Sequence, residues 1–572
     1  MMAKFSWRKS LFSIQPMAIP FRCRLRAGLK SYCVMLLLLM TTLVHAADVK
    51  DFMPKESVFF LQLQDIDEVY GEIEVSENWE KALALLPEAV ADWQEMQQGL
   101  LMAQGVLSTD LMSVIETVGY RTALAIWLDE AGTQQIGLVV HSGGNLSELQ
   151  RLTKVVEGLI GMSGGGTLRV DAGVYRRVHY NAMEMPQNIA KYGFAGEFLV
   201  LGAGEGAFEK LMDTYRKDAP SIRENLAFTK ASKKLGAGVA SVFADIPSIL
   251  PLIGDLDEAN RQRFAIFQSF FARLNALETE PFFQASVQFN PDLPENEIGL
   301  FLKKGAALKT PKALSAQDDL FVAVAPNILE SVWELVRTEM EKNATGEMYA
   351  AISFVEGLLN LNLEEDVMTG LTGELALSVP DFTNFDPQAV DNLNLEFDGT
   401  FVLDAGGVET SGAIIFSPSN QMKWNQIGNS LSNLQNASMT QIDYNGTTVS
   451  GFASSIYYSK LNDLFLMGFS EEQVCMLVDV IKNNKKLSYL KQVPKTPVAF
   501  AQLNLARVLE AAGDGAPPPD KVFVSAEEIE PLLAWISVEG NEVLFEIVLS
   551  TEETPLEVLA KFVPFYVWAM EN

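Results

Sequence analysis

The chain is poor in the residues that build metal centres and disulfides, with three cysteines and three histidines in 572 residues. Cys23, Cys33 and His45 all fall within the first 46 residues, so beyond them only Cys475, His141 and His179 remain. That excludes a disulfide framework, Cys/His structural zinc and an H-E-x-x-H protease centre from the rest of the chain. Basic side chains are also scarce, 43 against 73 acidic ones, for a formal net charge of -30. Phosphate binding needs a basic face, so nucleic acid is excluded as the main partner. After residue 46 no apolar run approaches the roughly 20 residues of a membrane-spanning helix, and none is expected. No G-x-x-x-x-G-K-[ST] phosphate loop is present either.

What the chain does have is apolar residues, 48% of the total, which is ample for a folded protein. The first 46 residues carry Lys4, Arg8, Lys9, Arg22, Arg24, Arg26 and Lys30 and no acidic residue. An apolar run of about 13 residues follows, from Tyr32 to Val44, and ends at Val44-His45-Ala46. This pattern predicts a secretory signal peptide over 1–46, cleaved between Ala46 and Ala47. A start at Met17 would give a signal of more usual length, and an uncleaved anchor is the alternative. Losing the seven basic residues leaves 36 Lys+Arg against 73 Asp+Glu, a net charge of -37. The expected product is acidic, soluble and either periplasmic or extracellular.

Internal similarity organises the remainder. Gly137–Ser142 with Asn145 matches Gly412–Ser417 with Asn420, an offset of 275. Gly202–Glu205 leading to Leu211 and Asp213 matches Gly468–Glu471 leading to Leu477 and Asp479, an offset of 266. Leu226–Lys230 matches Leu487–Lys491 and Val58–Leu63 matches Asp319–Val324, both at 261, and Asp245-Ile246 matches Asn504-Leu505 at 259. Five blocks in the same order predict two homologous tandem modules, over 47–310 and 311–572. Lys303, Lys304, Lys309 and Lys312 cluster around Pro311 at the boundary, which reads as a solvated linker.

Each module reads as α+β, a largely antiparallel sheet packed with helices. Short apolar strands near 121–128, 135–141, 197–202 and 283–289 alternate with helical patterns such as Leu146–Leu159. Asp65, Asp245, Asn327 and Asn504 stand where a strand runs into a helix, the position of a capping acceptor. Gln284–Phe289 with Ile298–Leu302, and Ala534–Val538 with Val543–Leu549, read as closing hairpins. The insertion Pro380–Glu409 holds Asp381, Asp386, Asp391, Glu396 and Asp398 but no EF-hand spacing, so a hydrated loop is expected in place of a calcium site.

No chemical motif keeps its meaning in context. Gly202-Ala203-Gly204-Glu205-Gly206 lacks the dinucleotide spacing, and Glu205 would repel a phosphate at that helix start. Gly161-Met162-Ser163-Gly164-Gly165 follows a helix and precedes a strand, the reverse of a nucleophile elbow. Ser488-Tyr489-Leu490-Lys491 satisfies S-x-x-K without the companion motifs. His141 matches Phe416, His179 lies beside Arg176 and Arg177 on a strand edge, and Cys475 reads as a free thiol. No catalytic, cofactor or metal residues are therefore assigned. The apolar end Phe562–Met570 is expected to pack on its own module, with a membrane surface as the alternative.

Pro54–Leu61, the strand-turn-helix Phe198–Asp213, the Leu-x-Phe segment Leu226–Phe228 and the strand leading to Asp245 resemble a family of bacterial exported proteins. That family is catalogued as a domain of unknown function, and Ser315 departs from its proline in the second copy. The resemblance implies tandem α+β modules and brings no catalytic residues. The combined expectation is an exported non-enzymatic binding or structural protein of the bacterial cell envelope. A ligand held between the modules is one form of it, and the partner would be an envelope protein, a glycan or a lipid. The alternatives are a carrier of a lipid or other apolar ligand and, third, a hydrolase.

Overall fold

Period-two burial sets the strands. In Phe59–Gln64 every second side chain, Phe60 and Gln62, is buried, as a pleated strand with one face on a core requires. The same logic generates twenty strands in a computed structural model of the chain. The structure describes most of residues 47–572. The stretches outside the description are chiefly 90–104, 106–110, 253–260, 292–301, 327–352, 363–372, 380–412, 418–439 and 513–521. Residues 49–572 form one compact unit.

The first half contains β1 (Phe59–Gln64), β2 (Arg121–Leu128), β3 (Gln134–His141), β4 (Thr167–Tyr175), β5 (Val178–Met185), β6 (Asn188–Ala195), β7 (Phe198–Ala203), β8 (Ala240–Asp245), β9 (Phe267–Leu274) and β10 (Phe283–Phe289). They pair antiparallel in the spatial order β4-β5-β6-β7-β3-β2-β1-β8-β9-β10. The second half contains β11 (Leu320–Val324), β12 (Glu374–Val379), β13 (Ala413–Ser417), β14 (Thr440–Tyr444), β15 (Thr447–Phe452), β16 (Ile456–Leu461), β17 (Leu464–Gly468), β18 (Ala499–Leu503), β19 (Leu532–Glu539) and β20 (Glu542–Leu549). Their spatial order is β14-β15-β16-β17-β13-β12-β11-β18-β19-β20. Position for position it is the order of the first half.

Ten helices are described: α1 (Ile66–Val75), α2 (Glu77–Ala89), α3 (Leu111–Gly119), α4 (Leu146–Ser163), α5 (Ala207–Tyr215), α6 (Leu226–Leu235), α7 (Ile246–Ile249), α8 (Glu471–Asn483), α9 (Leu505–Ala512) and α10 (Pro555–Glu571). The class is α+β with one large antiparallel sheet. Asp245 and Asn504 cap their helices as expected, accepting from the backbone N–H of Ser248 and Arg507. Asp65 does not. It sits in the left-handed region (φ 57°) without a cap bond, and its side chain accepts from Gln64 instead. Asn327 lies outside the described residues, as do the insertion Pro380–Glu409 and the loop Gly513–Pro519.

The two halves meet strand to strand. β10 pairs with β20, Phe283 opposite Ile547 and Gln288 opposite Glu542. This corrects the closing hairpin expected from Gln284–Phe289 and Ile298–Leu302. Both edges of β10 are already taken, by β9 and β20, so no edge is left for a third strand. The pairing makes one continuous sheet of the two halves. Polar side chains bridge this seam. Ser286 donates to Glu542 at 2.5 Å and Gln284 donates to Glu546, whose carboxylate also accepts from Trp535 Nε1 of its own half at 2.7 Å. Burial pushes the Glu542 carboxyl up, but the Ser286 hydroxyl and the Lys234 and Lys230 ammonium groups outweigh burial and hold it below its ordinary range.

Two further expectations change. The lysine-rich boundary is not a solvated linker from Lys309 onward, because Thr310, Ala313 and Leu314 are buried in a short 3-10 turn, Thr310–Ala313, and the residue after it. The C-terminal helix α10 packs on α9 of its own half and also reaches the first. Trp79 Nε1 on α2 donates to the Leu556 carbonyl at 3.0 Å, and Asn78 donates to Glu557 at 2.9 Å. Val558, Phe562 and Phe565 are buried in that cluster. Among the described residues no helix is long and apolar enough to cross a membrane.

Candidate functional site

In the second half, the chain around the 3-10 turn before β11 and the helix after β17 line a half-open cavity of about 840 Å³. Ser470 begins that helix with a reciprocal cap, its Oγ accepting from Gln473 N–H while Gln473 Oε1 accepts from Ser470 N–H. Capping fixes the direction of α8, and the 3.6 period then turns Cys475, Met476, Asp479 and Val480 toward the cavity. Leu314, Ser315 and Leu487 close the opposite wall, and Glu471, Glu472 and Asn483 stand at its rim. A cavity of this size lies within the range that takes small molecules.

The wall containing Leu314 and Ser315 is held by two buried carboxyl groups that sequence reasoning missed. Glu374, the first residue of β12, accepts from the backbone N–H of Lys309 at 2.6 Å and of Thr310 at 2.6 Å, and from the Thr310 hydroxyl. Asp318 accepts from Ser315 N–H at 2.9 Å. Burial pushes the Asp318 carboxyl up to about 7, against the lowering effect of that bond and of the nearby Ser378 hydroxyl. Its other oxygen has no hydrogen-bond partner. Glu374 follows a stretch that carried no recognised pattern, and Asp318 reads in sequence as an ordinary strand-preceding turn residue.

On the lining of the cavity Tyr444 donates to Asp479 at 2.6 Å, and Asn445 Nδ2 donates to the same carboxylate at 2.8 Å. The hydrogen bond to Asp479 is the main reason the Tyr444 hydroxyl is pushed up, with burial second. Burial, then the charges of Glu471 and Asp479, push the Cys475 thiol up as well. A thiol so placed stays protonated and is a poor nucleophile. Cys475 is thus a wall residue of the cavity, which its sequence context did not indicate.

The matching position in the first half is furnished differently. Tyr175 donates to Asp213 at 2.9 Å, repeating the Tyr444–Asp479 contact. There, however, Lys210 stands where α8 has Met476 and pairs with Glu56, while Lys191 pairs with Glu209. The segment between α5 and α6 also bonds to the segment before β1, with Lys55 N–H donating to the Pro220 carbonyl at 3.0 Å and Ile222 N–H to the Met53 carbonyl at 2.8 Å.

The other sequence candidates take structural places. Gly202 and Gly204 serve the β7–α5 turn: a Cβ on Gly202 would lie 2.3 Å from the Phe208 nitrogen, and Gly204 has φ 119°. Ser163 ends α4 and β4 begins at Thr167, so the serine stands after a helix and before a strand. His141 packs its ring between Tyr120 and Phe198, with centroids at 5.0 and 4.6 Å, and Nδ1 accepts from Gly143 N–H. His179 is exposed and lies 2.8 Å from Asp171, while Arg176 pairs with Asp213 and Asp218 and offers no anion site with it. Ser488 and Lys491 bound a 3-10 turn. Among the described residues no group of three His, Cys, Asp or Glu is placed to hold a metal ion. Ala47 is the first described residue, and Ala46 with the leader lies outside the description.

No family model matches the chain, and no curated protein matches it. A solved structure, described as crystal form I of TP0453, is similar at 10% identity over 45% of this chain and 84% of that one. Its TM-score is 0.24, at which the likeness carries no argument about fold or function.

Proposed function

We propose that the protein is an exported, non-enzymatic binding protein of the bacterial cell envelope, cleaved after Ala46 and released to the periplasm or the exterior. It consists of two homologous modules, 47–310 and 311–572, of the kind seen in the exported family it resembles. The second module holds a small, largely apolar ligand, and the first serves as its structural partner. The identical strand order of the two halves supports the duplication, since chance seldom reproduces a ten-strand topology. The observation that carries the binding role is the cavity of about 840 Å³ with Leu314, Met476, Val480 and Leu487 on its walls. Its one thiol is held protonated and its one tyrosine is engaged with Asp479, so the cavity is equipped to hold a molecule, not to transform one.

Native mass spectrometry of residues 47–572, purified gently from an exporting host, tests this reading. A mass above that of the chain, removed when Val480→Trp fills the cavity, is the expected result. A bare chain that also fails to take up any apolar probe overturns it.

A further inference from the structure

Charge is spread unevenly over this protein. Segments 48–56, 176–177 and 210–226 hold eight of the 36 basic residues of 47–572 and six of its 73 acidic ones. The fold brings these segments together. Phe52 stacks on Tyr215 with ring centroids 4.2 Å apart, Lys55 N–H donates to the Pro220 carbonyl at 3.0 Å, and Arg176 pairs with Asp218 at 3.0 Å. The carboxylates of the patch are engaged within it: Asp51 by Arg223, Glu56 by Lys210, Asp213 and Asp218 by Arg176, and Glu224 by the Ser221 N–H. Four cations are left over. Lys55, Arg177, Arg216 and Lys217 are exposed and make no ion pair with a described residue. The second half has Asn445, Gly446 and Asn483 where the first has Arg176, Arg177 and Lys217, so this part of the patch is not repeated.

Two further features belong to the same patch. Leu226 is 85% exposed, and Asn225 beside it donates to the Lys55 carbonyl at 3.2 Å. A single exposed leucine needs no explanation, but one set beside unpaired cations has the composition of a membrane-surface contact. The chain also enters the compact unit here. Val49 is fully buried, three residues after Ala46, the end of the expected leader. Three residues span about 10 Å at most, so this is the face turned to the membrane while the leader is still held there. We infer that the patch rests on the surface of a bilayer containing anionic lipid, with its cations on the headgroup phosphates and Leu226 at the acyl boundary. The remainder of the protein is strongly acidic, but at about 0.1 M salt the Debye length is about 10 Å, and carboxylates farther off are largely screened. The inference rests on the export part of the reading above and not on the cavity, so its failure leaves the cavity untouched.

The test mixes residues 47–572 with vesicles of phosphatidylcholine alone, or of phosphatidylcholine and phosphatidylglycerol in equal parts, and reads the bound fraction by flotation. At about 0.1 M salt the anionic vesicles should bind about tenfold or more tightly than the neutral ones, and about 0.5 M salt should release the protein. The triple variant Lys55→Glu, Arg177→Glu, Lys217→Glu should lose about tenfold or more in affinity, and Leu226→Ser about three- to fivefold. A control, Lys154→Glu, Lys491→Glu, Lys495→Glu, changes the net charge equally at exposed lysines outside the patch. It should bind within about twofold of the parent, and unchanged urea midpoints show that the variants keep the fold. Equal binding to both kinds of vesicle, or an equal loss in the control, overturns the inference. Binding to neither kind also overturns it, and capture of poly-glutamate that the triple variant abolishes would then assign the patch to an acidic polypeptide.

Discussion

The two halves use one clasp and arrive at different surfaces. In each, a tyrosine at the end of a hairpin strand reaches an aspartate on the following helix, Tyr175 to Asp213 and Tyr444 to Asp479. In each, a polar residue of the hairpin turn, Arg176 or Asn445, bonds the same carboxylate. The clasp fixes the helix on the sheet and so belongs to the architecture. Where the halves differ is around it: Lys210, paired with Glu56, stands in one where Met476 stands in the other, and the connection after the helix is longer in the first half. Two halves of one strand order can therefore differ at the surface without disturbing the core, because loops tolerate length changes that packed elements do not.

The largest asymmetry to break is Glu374. Its carboxylate satisfies two backbone N–H groups and a hydroxyl, two of the three on the buried Thr310, so Glu374→Ala strands three donors. The expected cost is about 3–5 kcal/mol, seen as a lower urea midpoint and loss of ligand uptake, with Gln recovering part of both. A near-neutral Glu374→Ala would mean the turn before β11 is not what holds the cavity wall.

Asp318 provides the next contrast, because the first half places the neutral Ser57 there, donating to Pro54 at 2.6 Å. An unfolded aspartate titrates near 3.8, and the folded one is raised to about 7. The native state thus binds this proton more tightly. The associated stability is fully present below about pH 4 and is lost as pH rises through about 7. At pH 8 Asp318→Asn should be more stable than the parent, by up to about 4 kcal/mol. At pH 4 the two should converge. Urea melts of both proteins across that range check the sign, and a parent–variant difference independent of pH would refute it.

Much of this architecture was legible. Strand positions such as 121–128 and 283–289, the caps Asp245 and Asn504, and the α+β class all follow from periodicity and short acceptors at element junctions. The shorter connection was legible too, since the offset between matching blocks falls from 266 at Asp213/Asp479 to 261 at Leu226/Leu487. The cavity beside it was not readable, because a difference in length does not say which surface it affects. The seam was hidden for a related reason. β10 and β20 lie more than 250 residues apart, and an alternating strand does not encode which edge it will meet. Ile298–Leu302 therefore looked like the partner of Gln284–Phe289, although β9, richer in continuous phenylalanine, takes that place. Burial of Thr310 and Leu314 was masked by the neighbouring lysines, whose stems reach solvent from a buried turn.

Met476→Lys gives the second half the cation that the first has in Lys210. Lysine is a good helix former, so stability should move by less than about 0.5 kcal/mol. Affinity for decyl maltoside should fall by about tenfold, since an ammonium replaces apolar wall in the cavity. The reciprocal Lys210→Met removes the partner of Glu56 and should leave that affinity unchanged, because it lies outside the cavity. An unchanged affinity in Met476→Lys would place the probe elsewhere on the protein.

The smallest effect sharpens the comparison most, because it removes one atom from the same clasp twice. Tyr175→Phe and Tyr444→Phe each delete a hydroxyl bonded to a carboxylate that keeps a second donor, Arg176 in one case and Asn445 in the other. Each variant should lose a little stability, read as a small fall in the urea midpoint. Their effects on binding should differ. Tyr175 and Asp213 do not line this cavity, and Tyr175→Phe should leave the affinity for decyl maltoside untouched. Tyr444 and Asp479 do line it, and loss of the hydroxyl leaves an apolar ring on its wall. Tyr444→Phe should therefore bind decyl maltoside about two- to threefold more tightly. Equal effects of the two substitutions on affinity would mean that the clasp acts through the fold and not through the cavity wall.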